Sequence, residues 1–271
     1  MRKSDVYFCF PGARFLLIIC GLLMAGCAAQ QDDVQRLRAG YDALNARRLD
    51  EALAAADVVL ADSPKETLPA EAHYLRGRVY EERAIANPQG GASQMQTART
   101  EYVAALGLPH KADLDGRARA GVANVAFHQD DYATAFDQWS AAYEKLERPE
   151  DKLKTLYQLG RTSQRLGKWE EADRYFATLQ SSAAGTELAQ KARRIQGARG
   201  FIVQFATFSN RKQADAAVAE LRKQGITAQH FIDPVNPGLD SVRVGSLRTY
   251  SESKALKTRF ANQYPSLIIL P

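Results

Sequence analysis

The sequence predicts a multidomain fold: an all-α array of helix pairs, then a small α+β module of β-α-β-β-α-β order, a four-stranded antiparallel sheet backed by two helices. Two patterns carry this. Glycines and alanines recur at fixed offsets through residues 33–186, as stacked helix pairs need for close approach. After residue 199, apolar and polar residues alternate in FIVQFATF and SVRVGSL, the two-residue period of strands with one covered face, and a final run reads SLIIL.

The chain opens on Arg2, Lys3 and Arg14 ahead of the apolar run Phe15 to Met24, which ends in Met24-Ala25-Gly26-Cys27. Such a run is too short to span a bilayer as a stable helix and reads as an export signal over residues 1–26. Small residues directly before a cysteine resemble the lipobox of bacterial lipoproteins, with Met24 where Leu is usual. That resemblance implies cleavage before Cys27, a diacylglycerol on its thiol and stable attachment to a membrane. Ala28 follows in place of Asp, which implies an outer-membrane lipoprotein of a diderm bacterium, facing the periplasm. The competing reading is a plain secretory signal or N-terminal anchor. Cys9 and Cys20 fall in the removed part, so a lipidated chain keeps no free thiol and no disulfide.

Residues 27–32 form a short lipidated linker, and about four helix pairs follow over 33–186. The clearest has Leu159-Gly160, then Gly167, Trp169, Ala172, Phe176 and Leu179. An earlier pair has Gly40, Ala52 and Pro64. Another has Leu75, Arg76, Gly77 and Tyr80, then Ala98, Tyr102 and Ala105, with Asn87 to Gly91 between them as an expected mobile loop. A further pair uses Tyr132, Ala135, Trp139 and Ala142. These positions resemble the tetratricopeptide (TPR) repeat. The resemblance implies a solenoid with a concave groove for a partner protein, and Tyr41, Asn45, Tyr74, Asn124 and Gln158 on first helices are its candidate lining. Trp139, Trp169 and Phe176 read as fillers between helices. Residues 187–198 hold one more helical stretch, either a cap on the array or a semi-flexible link.

In the terminal module, Val203 and Phe205 alternate with Gln204 and Ala206, and Val242 and Val244 with Ser241 and Arg243. Ala214, Val218 and Leu221 repeat at helical spacing until Gly225 stops that helix. Pro234 to Gly238 is too rich in turn formers for a two-residue hairpin. Phe201, Val203-Gln204, Ala206 and Phe208, with Val242-Arg243-Val244-Gly245, resemble the SPOR domain, a bacterial peptidoglycan-binding module. Ser241 stands where the family usually has Arg, and Ser246-Leu247 where it has Pro-Phe.

The resemblance, over 199–271, implies an uncovered sheet face that recognises glycan strands stripped of their stem peptides. Stripping leaves a lactyl carboxylate on a neutral, hydroxyl-rich chain. Arg243 suits that carboxylate with two parallel hydrogen bonds, and Gln204 suits hydroxyl or acetamido groups. Thr207 and Ser241 would add hydroxyl contacts, and Ile202, Leu239 or His230 would pack on sugar faces. Alternation alone would also predict Gln204 and Arg243 as ordinary solvated positions.

The chain carries a formal charge of +5. From Arg199 onward ten Lys and Arg face five Asp and Glu, so the positive excess sits in the terminal module. A basic four-stranded sheet also suits RNA recognition, but the export signal removes nucleic acid as a partner. The four histidines stand apart without metal-ligand spacing, and Gly90-Gly91 lacks a following Lys-Ser or Lys-Thr for a phosphate loop. The expectation is therefore no catalytic residues, no metal and no cofactor. The chain reads as a non-enzymatic tether: a lipid anchor, a protein-binding solenoid and a glycan-binding end, acting at the division septum if stripped strands concentrate there. The alternative is a scaffold or assembly factor of an outer-membrane machine, localised by its terminal module. A third reading is an adaptor that activates an amidase.

Overall fold

A computed structural model describes residues 32–62, 68–87, 89–232 and 238–271. The export signal, the lipidation site Cys27, Pro64 and the turn at Pro234 to Pro237 lie outside the described residues. The chain divides into two compact units, the boundary falling after Val125.

The first unit is helical: α1 (residues 32–45), α2 (Leu49–Asp62), α3 (Leu68–Ala86), α4 (Ala92–Gly107) and most of α5 (Ala112–His128). Leu37 and Leu44 of α1, Ala52, Ala56 and Val59 of α2, and Leu75 and Val79 of α3 form one buried cluster. Small residues decide how closely these helices pack. A Cβ on Gly40 would meet the Leu75 side chain at 2.7 Å, inside any tolerable contact. Tyr102 of α4 is fully buried between Gly77 and Gly121, where added Cβ atoms would meet its ring at 2.6 and 2.5 Å. Its hydroxyl donates to Glu81, which also accepts from Asn124. Burial, then the Glu81 carboxylate, holds that hydroxyl well above its usual pKa, so it remains a donor.

The stretch from Asn87 to Gly91, expected as a mobile loop, is a tight turn apart from Pro88, which lies outside the described residues. The Gly90 amide donates to the Asn87 carbonyl at 3.2 Å, and Gly91 sits so close to α3 that a Cβ would meet the Ala84 carbonyl oxygen at 2.4 Å.

The second unit holds the end of α5, then α6 (Tyr132–Lys145), α7 (Pro149–Arg165), α8 (Trp169–Ser182) and α9 (Glu187–Ile195), followed by the terminal module. Asp131 caps α6 by accepting from the Thr134 amide, Pro149 starts α7, and Gly167 turns the chain into α8 at φ +73°. Phe176 is fully buried against Gly160, where a Cβ would meet its ring at 2.3 Å. Trp139 is buried as expected of a filler, whereas Trp169 is half-buried and turns its ring to Phe201.

Segment 187–198 is hydrogen-bonded back to the preceding helices. Gln164 donates to the Ile195 carbonyl at 2.7 Å, Gln180 to the Gln196 side chain at 2.7 Å, and Asp173 accepts from the Gly197 amide at 2.8 Å. Together these tie α9 and its exit to α7 and α8.

The module runs β1 (Phe201–Phe208), α10 (Arg211–Lys223), β2 (Gln229–Ile232), β3 (Asp240–Leu247), α11 (Tyr250–Phe260) and β4 (Ile268–Leu270). Its antiparallel sheet has the order β2-β3-β1-β4. Val203, Phe205, Val242 and Val244 pack with Ala214 and Leu221 of α10 and Phe260 of α11. Both helices therefore cover one face, as the alternation required.

Candidate functional site

The face away from α10 and α11 is ordered by strand register. Across the sheet, Gln229 of β2 opposes Arg243 of β3, Arg243 opposes Gln204 of β1, and Gln204 opposes Ile268 of β4. The next row places Phe231 opposite Ser241 and Ser241 opposite Thr207. Strict alternation would turn Thr207 to the helix side. A register shift between Gln204 and Ala206 inserts one residue into β1 and brings Thr207 onto the face that carries Gln204.

Within these rows the polar groups form a chain. The Arg243 Nε–H donates to Gln204 Oε1 at 2.8 Å, and Gln204 Nε2 donates to Thr207 Oγ1 at 3.3 Å. The guanidinium also lies 5.8 Å from the centre of the Phe231 ring. Among the described residues no carboxylate stands within ion-pair distance of Arg243. Since Nε is engaged, the fork left for a ligand is the end-on pair Nη1 and Nη2, with the planar geometry that matches a carboxylate.

The structure sorts the sequence-derived site residues. Gln204, Thr207 and Arg243 come together on the open face, with half-buried Ile202 beside them opposite Leu270. Ser241 is a correction: it is fully buried, and its hydroxyl donates to the Phe231 carbonyl at 3.2 Å, leaving no surface for a sugar. Its cross-strand neighbour on β2 is Phe231, whose backbone takes that hydrogen bond. His230 is a second correction. Its Nδ1 lies 3.1 Å from Asp215 of α10, which places it on the helix side. Leu239 is half-buried just ahead of β3, outside the ladder.

Two residues absent from the sequence reading belong to this face. Phe231 and Ile268 are each 44 % exposed, one on each outer strand, flanking the Arg243–Gln204 pair. Strand β2 is four residues long without a regular period, so alternation gave no sign of Phe231. The basic excess is placed differently from the ligand face. Arg211, Lys212, Arg222 and Lys223 belong to α10, and Lys254, Lys257 and Arg259 to α11, so Arg243 is the single arginine or lysine on the four strands.

Of the residues proposed to line a helical groove, Tyr74 is buried against the Tyr41 and Tyr102 rings, and Asn124 is engaged by Glu81. The Tyr41 hydroxyl donates to Glu71 at 2.6 Å, and Arg117 donates to the same carboxylate at 2.8 Å. Tyr41 also lines an open groove of about 350 Å³ with Val34, Leu37, Arg38, Leu68 and Arg117. Asn45 is exposed, and Gln158 is half-buried, accepting from Arg161 at 3.4 Å. Among the described residues no three His, Cys, Asp or Glu side chains converge as a metal site, and no helix is long and apolar enough to cross a membrane.

Comparison with known families agrees with the geometry: residues 197–271 match the SPOR domain. SPOR domains bind peptidoglycan and are not catalytic. No curated protein matches the chain.

Proposed function

We propose that this chain is a non-catalytic peptidoglycan-binding lipoprotein whose SPOR domain grips peptide-stripped glycan through the face built on Gln204, Thr207 and Arg243. One observation carries the reading: Arg243 stands on an open sheet face, oriented by Gln204 and with no carboxylate partner among the described residues. A guanidinium presented beside Phe231, without a carboxylate partner among the described residues, fits a sugar chain bearing one carboxylate. Phe231 and Ile268 supply apolar surface for sugar rings on either side, the role first assigned to Ile202, Leu239 or His230.

In the same proposal the helix pairs are TPR repeats that hold a partner protein, and the lipid on Cys27 anchors the assembly in the outer membrane, between membrane and wall and at the septum where stripped strands gather. The pairing of α1 to α8 and the glycines at Gly40, Gly77 and Gly160 support the repeat assignment. The groove beside Tyr41 and Arg117 is the place where a partner segment fits.

Pelleting of the purified protein with sacculi tests the glycan reading. Amidase-treated sacculi are expected to retain several-fold more protein than untreated ones. Arg243→Gln should remove that difference, a loss of about tenfold or more in affinity for a charge-assisted contact. Equal pelleting on both preparations, or wild-type pelleting by the variant, would reject the carboxylate contact and leave a helical scaffold with a localising end.

A further inference from the structure

The boundary between repeat helices and SPOR domain is filled by a stack of rings and cations. Arg165, the last residue of α7, sits 3.8 Å above the Tyr250 ring and 5.6 Å from the Phe201 ring. The Phe201 and Tyr250 centres are 5.5 Å apart. Trp169 of α8 packs on Phe201 at 5.1 Å, and Tyr132 of α6 meets Tyr250 edge to face at 5.6 Å. Phe127 continues the row behind Tyr132 at 5.3 Å. Every ring centre lies within the range in which aromatic pairs attract.

Polar contacts close the rim. Arg199 pairs with Asp173 at 2.8 Å, and Lys254 of α11 pairs with Asp130, which also accepts from the Tyr132 hydroxyl at 2.5 Å. Arg165 itself has no carboxylate within ion-pair distance among the described residues, and its Nη1 is buried without a hydrogen-bond partner. The faces of Tyr250 and Phe201 are thus the main compensation for its charge, an arrangement in which a desolvated cation–π contact is strongest.

This joint involves the ends of the elements that carry the ligand face. Phe201 begins β1, three residues before Gln204, and Tyr250 begins α11, three residues after β3 ends. Phe201 is fully buried. No hydrogen bond, ion pair or ring contact links Gln204, Thr207, Phe231, Arg243 or Ile268 to helices α6 to α9 among the described residues, so the joint leaves that face open.

We infer that the SPOR domain is clamped to α6 through α9 by the Arg165–Tyr250–Phe201 stack and opens with those helices as one cooperative body. The ligand face is then held at a fixed orientation on this scaffold, without a swinging link. A pull on the helices is transmitted directly to β1 and α11.

Native-state hydrogen exchange on the intact protein, read by mass spectrometry, tests this without any glycan. In the wild type, peptides from β1 and α11 should exchange no faster than peptides from α7 and α8. Arg165→Ala should speed β1 and α11 by about tenfold or more while α1 to α4 keep their rates. Tyr250→Phe should retain wild-type rates, because the ring face is kept. Lys254→Gln, on the partly exposed rim, should give the Arg165→Ala pattern at smaller size, which guards against a general folding defect. Unchanged β1 and α11 rates in Arg165→Ala, or faster exchange of these two than of α7 in the wild type, would overturn the inference.

Discussion

Arg243 shows how much a single side chain depends on its neighbours across the sheet. Alternation along β3 places Ser241 and Arg243 on one face, yet Arg243 is available to a ligand and Ser241 is not. The two also differ in their neighbours on β2, Phe231 lying opposite Ser241 and Gln229 opposite Arg243. A period read along one strand says which way a residue points and nothing about what stands over it. The glycines between helices were legible for the opposite reason. Gly40, Gly77 and Gly160 stand at offsets set by helix geometry alone, and each proves to lie against a large side chain. Gly121, which completes the slot for Tyr102, has the same geometry and was not singled out in the sequence. Gly160→Ala is expected to destabilise the second unit by about 1–3 kcal/mol, since its Cβ would meet the Phe176 ring at 2.3 Å. A urea titration of the variant measures this. An unchanged midpoint would show that the ring moves aside freely.

Among elements, the long periodic ones were predictable and the short or irregular ones were not. FIVQFATF and SVRVGSL became β1 and β3, and the Ala214, Val218, Leu221 stripe became the inner side of α10. The register shift in β1 depends on which residues of β3 pair with it, so nothing in β1 alone announces it. The second shift, between Phe201 and Val203, accompanies Ser246 at φ +62°, a left-handed position at the end of β3. Helix α11 starts with a cap typical of its sequence. Thr249 accepts from the Glu252 amide at 3.1 Å, and Glu252 in turn accepts from the Arg248 amide at 3.1 Å. Thr249→Ala should cost about 0.5–2 kcal/mol of stability, and because α11 begins at Tyr250 it should loosen the Arg165 stack as well. Thermal unfolding gives the first effect, and hydrogen exchange of β1 gives the second.

For the whole molecule, the division after Val125 groups the SPOR domain with the last helices, so the compact unit that holds it is larger than residues 197–271. A fragment cut at the family boundary would expose Phe201, which is fully buried in the intact chain. Each unit also holds a carboxylate whose protonation bears on stability. For Asp130, burial opposes the charge, but hydrogen bonds from Lys254 and Tyr132 outweigh it and hold the carboxyl below its usual pKa. For Asp115 the same balance is set by Arg119 and His110. A depressed carboxyl pKa contributes stability that is fully present above the ordinary carboxyl range and is lost as pH falls through the lowered value. The urea midpoint should therefore drop as pH falls below about 4. Asp130→Asn should flatten that drop for the second unit, and an identical pH profile in the variant would remove Asp130 from the account.

By itself the sequence determined the order of elements, the covered side of each long strand and the close approach of paired helices. These follow from periodicity and residue size, which are local. Tertiary structure alone decided that Ser241 is sealed and Phe231 displayed, that Thr207 joins the Gln204 face, and that residues 187–198 are tied back to α7 and α8. It also decided that Arg165 stacks on Tyr250 and Phe201. Each of those outcomes depends on residues far apart in the chain meeting across strands or between domains, and the free energy of such meetings belongs to the pair and not to either segment.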